Sequence, residues 1–439
     1  MNKLISALLS VLAVTILFPT SALAVPAFAR QTGMACSTCH YQAYPILTRF
    51  GKRFKIDGFT LMGSQDTLEG EQKLSLPITL NMGVFLKLRY QKTNGREMTA
   101  AEYAAAFPSA APNPNPRTTN SGRFDVPDEF ALFAAGRISE NIGALVEINI
   151  AGPNQSGVAN FKIPFVYDLG SMKMGVVPFS GDAGVAYGFD LFATGSNTTG
   201  RAIENAAGYS VANYLGTHTD VTGMAVYLAN ADFHVAVTPW FQGNKLTAND
   251  GPGTALGGQY LRAAWTPTVR DWDVGMGLQR FSGNSLKGID GIDASTTRDN
   301  AAILDAQAQG VIAGMPLGIY SSIGSASASS GGITNTFNSG SFKRRGFGVL
   351  ADLGIVPEKI EVQLGFIRAK TGLSDSSGNN ETDNGWTLGM RYKMRQNVYM
   401  AAAYSKFSGS AYLNGGSKDA NVAGGMGDSL LNITMVTGF

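Results

Sequence analysis

From Leu76 to the end of the chain, apolar and polar residues alternate in short runs separated by turn-forming residues. Between 78 and 90, Ile78, Leu80, Met82, Val84, Leu86, Leu88 and Tyr90 alternate with Thr79, Asn81, Gly83, Phe85, Lys87 and Arg89. A period of two marks a strand whose two faces meet different surroundings. The same alternation returns at 142–151 (Val146, Ile148, Ile150 against Glu147, Asn149), at 271–280 (Trp272, Val274, Met276, Leu278 against Asp273, Gly275, Gln279) and at 386–394 (Trp386, Leu388, Met390, Tyr392, Met394 against Arg391, Lys393). Charges fall on the polar face each time, as they do where one face meets lipid and the other a wet interior.

The pattern predicts strands near 78–90, 127–138, 142–151, 160–169, 171–180, 221–230, 232–242, 258–267, 271–282, 300–309, 311–323, 344–354, 358–368, 385–394, 397–407 and 430–439. Tight connections such as Ser139-Glu140-Asn141, Leu169-Gly170, Val356-Pro357 and Arg395-Gln396 interleave with longer loops rich in Gly, Asn, Asp and Ser. Sixteen strands, an even number, with short turns on one side and long loops on the other, give an all-β fold: an antiparallel outer-membrane β-barrel with both termini in the periplasm. The final run alternates up to Phe439, which resembles the C-terminal signal of bacterial outer-membrane proteins. A soluble β-sandwich is the competing architecture, but it seldom reaches this length as one domain and leaves Trp and Tyr at the ends of apolar faces unexplained.

The first residues read differently. Lys3 supplies a positive start, Leu4 to Phe18 an apolar stretch and Ala22-Leu23-Ala24 a small-residue cleavage site, so residues 1–24 read as an export signal. No later apolar run is long enough for a spanning helix, which leaves strands as the route into a membrane. Composition agrees. Only 15% of the 439 residues are charged against 44% hydrophobic, and 54 are glycine. A formal charge of +2 gives no phosphate-binding surface and excludes nucleic acid as a partner class.

The only two cysteines lie in Cys36-Ser37-Thr38-Cys39-His40. In an exported protein this C-x-x-C-H motif signals covalent c-type haem attachment, the thiols adding to the porphyrin vinyl groups and the histidine binding iron from the proximal side. A redox disulfide wants a thioredoxin-like context and a zinc site wants two further ligands nearby, and neither is present. Downstream, Tyr44, Leu47, Phe50 and Phe54 fall close to helical spacing, an apolar stripe suited to a porphyrin or to ordinary helix packing; Arg49, Lys52, Arg53 and Lys55 lie between them. The expected organisation is therefore a signal at 1–24, a small, mainly helical cytochrome segment at 25–73 and a barrel at 74–439. Some fifty residues cannot bury a haem alone, so the barrel must supply the other wall.

Val25-Pro26-Ala27-Phe28-Ala29-Arg30-Gln31-Thr32-Gly33-Met34 leading into CSTCH, then Tyr44-Pro45, Phe50-Gly51, Phe54-Lys55 and Gly58-Phe59-Thr60, resembles the fused monohaem cytochrome-porin family of iron-oxidising bacteria. The barrel portion is similar in architecture more than in motif. The resemblance implies an outer-membrane oxidoreductase that takes electrons from extracellular Fe(II), passes them through one covalently bound c-type haem and delivers them to a periplasmic electron-accepting cytochrome. Its surroundings would be outer-membrane lipid. The alternatives are a haem-bearing transport porin and an electron conduit for a donor other than Fe(II).

The distal iron ligand is open on sequence alone. Methionine would raise the haem potential and favour reduction by Fe(II). Met62 lies twenty-two residues beyond His40, far enough to return over the opposite haem face, whereas Met34 is constrained by its closeness to Cys36. His234 is the runner-up, expected to point into the lumen near the periplasmic rim. Oxygen or imidazole groups for passing iron are offered by Asp182, Asp190, Glu204, His218 and Asp220 in the longest loop and by Asp375, Glu381 and Asp383 in another, though acidic residues in such loops commonly serve only solvation. Lys87, Arg89, Arg137, Lys173, Arg262, Arg391 and Lys393, with Glu147, Asp273 and Glu361, are expected to form a charge network on the pore wall.

Overall fold

A computed structural model of the protein describes residues 27–42, 44, 46–99, 101–102, 105, 119–151, 157–181, 209–217, 221–243, 256–287 and 295–439. The signal segment 1–24, the first residues of the cytochrome segment and most of the longest loop lie outside these. Sixteen antiparallel staves close into a barrel. The first is Met82–Thr93 (β1) and the last Ser429–Gly438 (β16), paired from Leu430 opposite Thr93 to Gly438 opposite Phe85. Closure is completed at the terminal residue, where the Phe439 N–H donates to the Val84 carbonyl at 3.0 Å. Closing the sheet removes its edges, which a membrane would not tolerate.

The staves between follow the predicted runs closely: Arg123–Ser139 (β2), Ile142–Ala151 (β3), Gly157–Lys162 with Phe165–Asp168 (β4), Lys173–Gly181 (β5), Val221–Ala229 (β6), Phe233–Gln242 (β7) and Gly258–Trp265 with Thr268–Val269 (β8). Next come Trp272–Lys287 (β9), Ser295–Arg298 with Ala301–Ile312 (β10), Met315–Ala326 (β11), Arg344–Val356 (β12), Ile360–Ser374 (β13), Asn380–Arg395 (β14) and Val398–Ser408 (β15). Two differences have simple causes. Pro164 has no N–H and interrupts β4, and β1 begins at Met82 rather than near 78 because the residues before it fold into a small hairpin, Thr67–Glu69 with Ser75–Pro77. That hairpin carries the N-terminal segment a few residues beyond the expected boundary at 73.

The alternation read from the sequence is the alternation of the wall. Val235 and Val237 are exposed on β7 while His234, Ala236 and Thr238 between them are buried; Leu364 and Phe366, Leu388 and Met390 repeat the outward apolar pattern. These residues form the lipid-facing surface. On the inner face the charges are paired and buried: Lys87 with Asp128 (2.8 Å) and Glu129 (2.9 Å), Arg262 with Asp305 (2.5 Å), and Arg391 with Glu361 (2.6 Å).

Among the described residues, two segments reach the interior. Ile56 of the N-terminal segment, Val211, Tyr214 and Leu215, and the wall residues Phe179, Trp240, Phe281 and Ile303 belong to one apolar cluster. A helix, Val211–Leu215 (α4), lies within it; Ser210 caps its start and Gly216, with φ of 73°, ends it. Ordinary alternation does not predict this, because a wet pore would want polar residues there.

Candidate functional site

Three short helices build the N-terminal segment: Ala27–Thr32 (α1), Cys36–Cys39 (α2) and Arg49–Ile56 (α3). The second is a single turn that stops at His40, whose backbone is extended (φ −115°, ψ 128°) while its N–H still donates to the Cys36 carbonyl at 2.8 Å. That stop places two free thiols on one helical turn with the imidazole directly after them. Thr48 joins this turn to α3. Its hydroxyl donates to the Thr38 carbonyl at 2.7 Å and accepts the Gly51 N–H at 3.0 Å, capping the longer helix. Gly51 is required by the approach: a Cβ there would stand 2.1 Å from the Cys39 carbonyl oxygen.

Both thiols are half-buried, and burial pushes each above the ordinary cysteine range; at Cys36 the positive charge of Lys393 works in the opposite direction. The His40 ring meets Tyr44 edge-on at 5.5 Å, Tyr44 lies 5.9 Å from Phe85 of β1, and Phe85 lies 6.5 Å from Phe133 of β2. The expected aromatic stripe divides. Phe54 is buried in a trio with Phe28 (5.0 Å) and Phe59 (5.7 Å), while Tyr44 and Phe50 remain exposed beside the cysteine turn. Two thiols one turn apart, an adjoining imidazole and uncovered aromatic faces are a donor set that fits a c-type haem.

Met62 is on the same body. Gln31 holds its loop by donating to the Phe59 and Leu61 carbonyls, each at 2.8 Å, and Ser64 donates to the Arg30 carbonyl at 2.7 Å. Gly63 packs so closely on Thr32 that a Cβ would lie 2.2 Å from its carbonyl oxygen. Met62 is thus fixed beside the residues just upstream of Cys36, half-buried. His234 points inward as expected, but it is 1% exposed and stacked on Tyr227 at 5.7 Å, under the end of α3, where the Tyr227 hydroxyl donates to the Ile56 carbonyl at 2.5 Å.

The segment is docked around the tight-turn end of the barrel. Arg49 forms an ion pair with Asp232 and a hydrogen bond to Thr268; Tyr41 donates to the carbonyls of Gly310 (2.6 Å) and Leu317 (3.0 Å). Gln42 donates to Asp352 at 2.6 Å, Lys393 donates to the Gln42 carbonyl, and Arg137 donates to the Thr60 carbonyl at 3.2 Å. Of the wall charges expected to form a network, Arg137 and Lys393 are spent on holding this segment.

Of the loop acids, Glu381 and Asp383 fall on β14 rather than in a loop and are buried, Glu381 accepting from Ser417 (2.9 Å) and Asp383 from Tyr412 (2.7 Å) and Lys418 (2.6 Å). Asp375 accepts the N–H groups of Ser377 and Asn379 in its own turn. Asp182, Asp190, Glu204, His218 and Asp220 lie outside the described residues. Among the described residues no group of three or more His, Cys, Asp or Glu side chains is arranged to hold a metal ion. The element that sequence reasoning missed is the inward fold around α4. Its signal is a row of inner-face glycines: Gly348 and Gly365 leave no room for a Cβ beside Tyr209, and Gly346 lies next to Val211 and Tyr214.

No family model matches the sequence, and no curated protein does. Among solved structures, OprB of Pseudomonas putida at high pH is similar with a TM-score of 0.50 and 12% identity over 82% of this chain and 93% of that one. The anion-selective porin from Comamonas acidovorans has a TM-score of 0.46 and 12% identity, covering 82% of this protein and 99% of that porin. The outer-membrane channel DcaP of Acinetobacter baumannii has 0.46 and 7%, covering 85% and 100%. At such identities the likeness is one of fold, and the protein folds as a sixteen-strand barrel of the outer-membrane porin type.

Proposed function

We propose that the protein is an electron conduit rather than a solute channel: it carries one c-type haem covalently on Cys36 and Cys39 and moves electrons from extracellular Fe(II) to a periplasmic cytochrome. His40 would hold the iron on the proximal side and Met62 on the distal side; the fully packed His234 is the weaker choice. When bound, the haem supplies a one-electron site at the mouth of the barrel. The protein's own residues fix it there: Thr48 and Gly51 set the cysteine turn against α3, and Arg49, Tyr41 and Gln42 fasten the segment to the wall. The tight-turn end, where the segment sits, is the periplasmic one under this reading, with both termini on that side.

The observation that carries the reading is the apolar cluster inside the barrel, to which both Ile56 of the N-terminal segment and the Val211–Leu215 helix belong. Electrons cross such a medium and hydrated solutes do not. The porin-type fold by itself favours transport, so conductance separates the two readings. Reconstituted in a planar bilayer, the protein should pass far less current than an open sixteen-strand porin, while denatured protein should keep a haem stain that the Cys36→Ala/Cys39→Ala variant loses. Porin-like conductance, or no stain in the wild type, overturns the proposal. Reduction of the haem by Fe(II) and not by other mild reductants identifies the donor.

A further inference from the structure

Along the inner face of β12, alternate residues act as a ruler from the docked segment toward the long-loop end. Asp352 meets Gln42, two residues after His40. Leu350 packs in a cluster with Ile46, Tyr209 and Tyr320, against which Tyr41 is placed. Gly348 faces the Tyr209 backbone, Gly346 lies beside Val211 and Tyr214, and the Arg344 guanidinium lies 4.9 Å from the centre of the Tyr214 ring. Eight residues separate Asp352 from Arg344, roughly 27 Å of strand at ~3.4 Å per residue. At a strand tilt of about 40° this is roughly 20 Å of barrel height, most of the ~25 Å apolar band of such barrels.

Tyrosines follow this ruler. Tyr41 adjoins His40 in sequence and is partly buried; Tyr320 and Tyr209 share the cluster above it, and Tyr214 follows one turn of α4 later. Tyr412 donates to the Asp383 carboxylate at 2.7 Å, the charge nearest in effect to Tyr214 as well. Tyr412, on the turn Ser410–Tyr412 that follows β15, then stacks on Phe407, ring centres 5.5 Å apart and planes 7° from parallel. Tyr320, Tyr209, Tyr214 and Tyr412 are each no more than 5% exposed.

We infer that Tyr41, Tyr320, Tyr209, Tyr214 and Tyr412 form the path along which electrons cross the barrel to the haem. The inference rests on the function proposed above and names its route. One electron leaves Fe(II) outside, which becomes Fe(III), and arrives on the ferric haem iron, which becomes ferrous. The tyrosines gain and lose nothing overall: their rings stand along the column in place of saturated side chains, and the phenolic protons stay where they are. Asp383, paired with Lys418, and the carbonyls of Gly310 and Leu317 hold hydroxyl groups at the outer and inner ends of the column.

The test uses full-length protein in liposomes, with ferrous citrate added outside and the haem absorption bands followed in time. Tyr209→Leu keeps the apolar bulk and removes the ring; Tyr209→Phe keeps the ring. Tyr209→Leu should slow reduction by about tenfold or more, and Tyr209→Phe should stay near wild type. Dithionite added in detergent, where it reaches the haem directly, should reduce all forms equally. Tyr214→Leu is the second probe should Tyr209→Leu not yield the compact, detergent-resistant form of a folded barrel. Wild-type rates in the leucine variants, or a phenylalanine variant as slow as leucine, overturn the ring pathway while leaving the haem reading intact. A wild type without haem bands in dithionite overturns both.

Discussion

Single residues act here through what their neighbours leave open. Asp57 ends α3, and burial raises its carboxyl above the ordinary range against the opposing pull of Lys173 and Arg53. A carboxyl with a raised native pKa binds its proton more tightly in the folded state, so its contribution is complete at low pH and is lost as pH rises from the ordinary carboxylate value through the raised one. Asp57→Asn should therefore protect the docked segment from protease at pH 7 by a few tenths of a kcal/mol after solvent screening, with no difference from wild type at pH 3. Protease nicking across residues 49–66 at the two pH values measures it. Arg262 and Asp305 give the opposite kind of case. Both are fully buried and joined by two hydrogen bonds, at 2.5 and 2.9 Å, so Arg262→Met leaves a buried carboxylate with only the Gln279 amide (2.8 Å) to answer its charge and should cost about 3 kcal/mol. The Arg262→Met/Asp305→Leu double variant should recover most of that loss, as read by urea unfolding of the barrel in detergent.

At the scale of elements, the segment around α4 packs against the inner face of a porin-type wall. Its seat is prepared by Gly346, Gly348 and Gly365, and the Val211 N–H donates to Ser322 of β11 at 2.9 Å. Replacing residues 209–217 with a flexible Gly-Ser stretch of equal length should leave the barrel folded, since the wall ladders do not pass through it, and should raise single-channel conductance. The N-terminal plug should then dominate what resistance remains. If the current stays at the wild-type level, α4 does not close the lumen. The strands themselves were legible in the sequence, because a wall with lipid on one side writes its period of two into every stave. The break at Pro164 and the late start of β1 were not, since alternation continues through residues whose hydrogen bonds go elsewhere.

For the whole molecule, the barrel has a tight-turn end carrying the cysteine turn and a long-loop end carrying Asp375, Lys418 and their surroundings. A tag at Gly378 should be reachable on intact cells, as should tags at Asn197 and Gly291, which lie outside the described residues; one after Gly170 should not. The reverse pattern would put the cysteine turn on the cell surface and the donor in the periplasm. The sequence by itself determined the number and order of the strands, their lipid-facing sides and the three adjoining residues Cys36, Cys39 and His40, because each of these is a local pattern: a period of two, a hydrophobic run or a contiguous motif. The inward placement of His234 was local in the same sense. What fills the barrel was decided only by the tertiary structure. Tyr41 meets residues some 270 positions away, Gln42 meets Asp352, and the glycines that seat Tyr209 stand on β12 and β13. Such contacts depend on which inner-face positions come level when the sheet closes, and that register is written in no short stretch of residues.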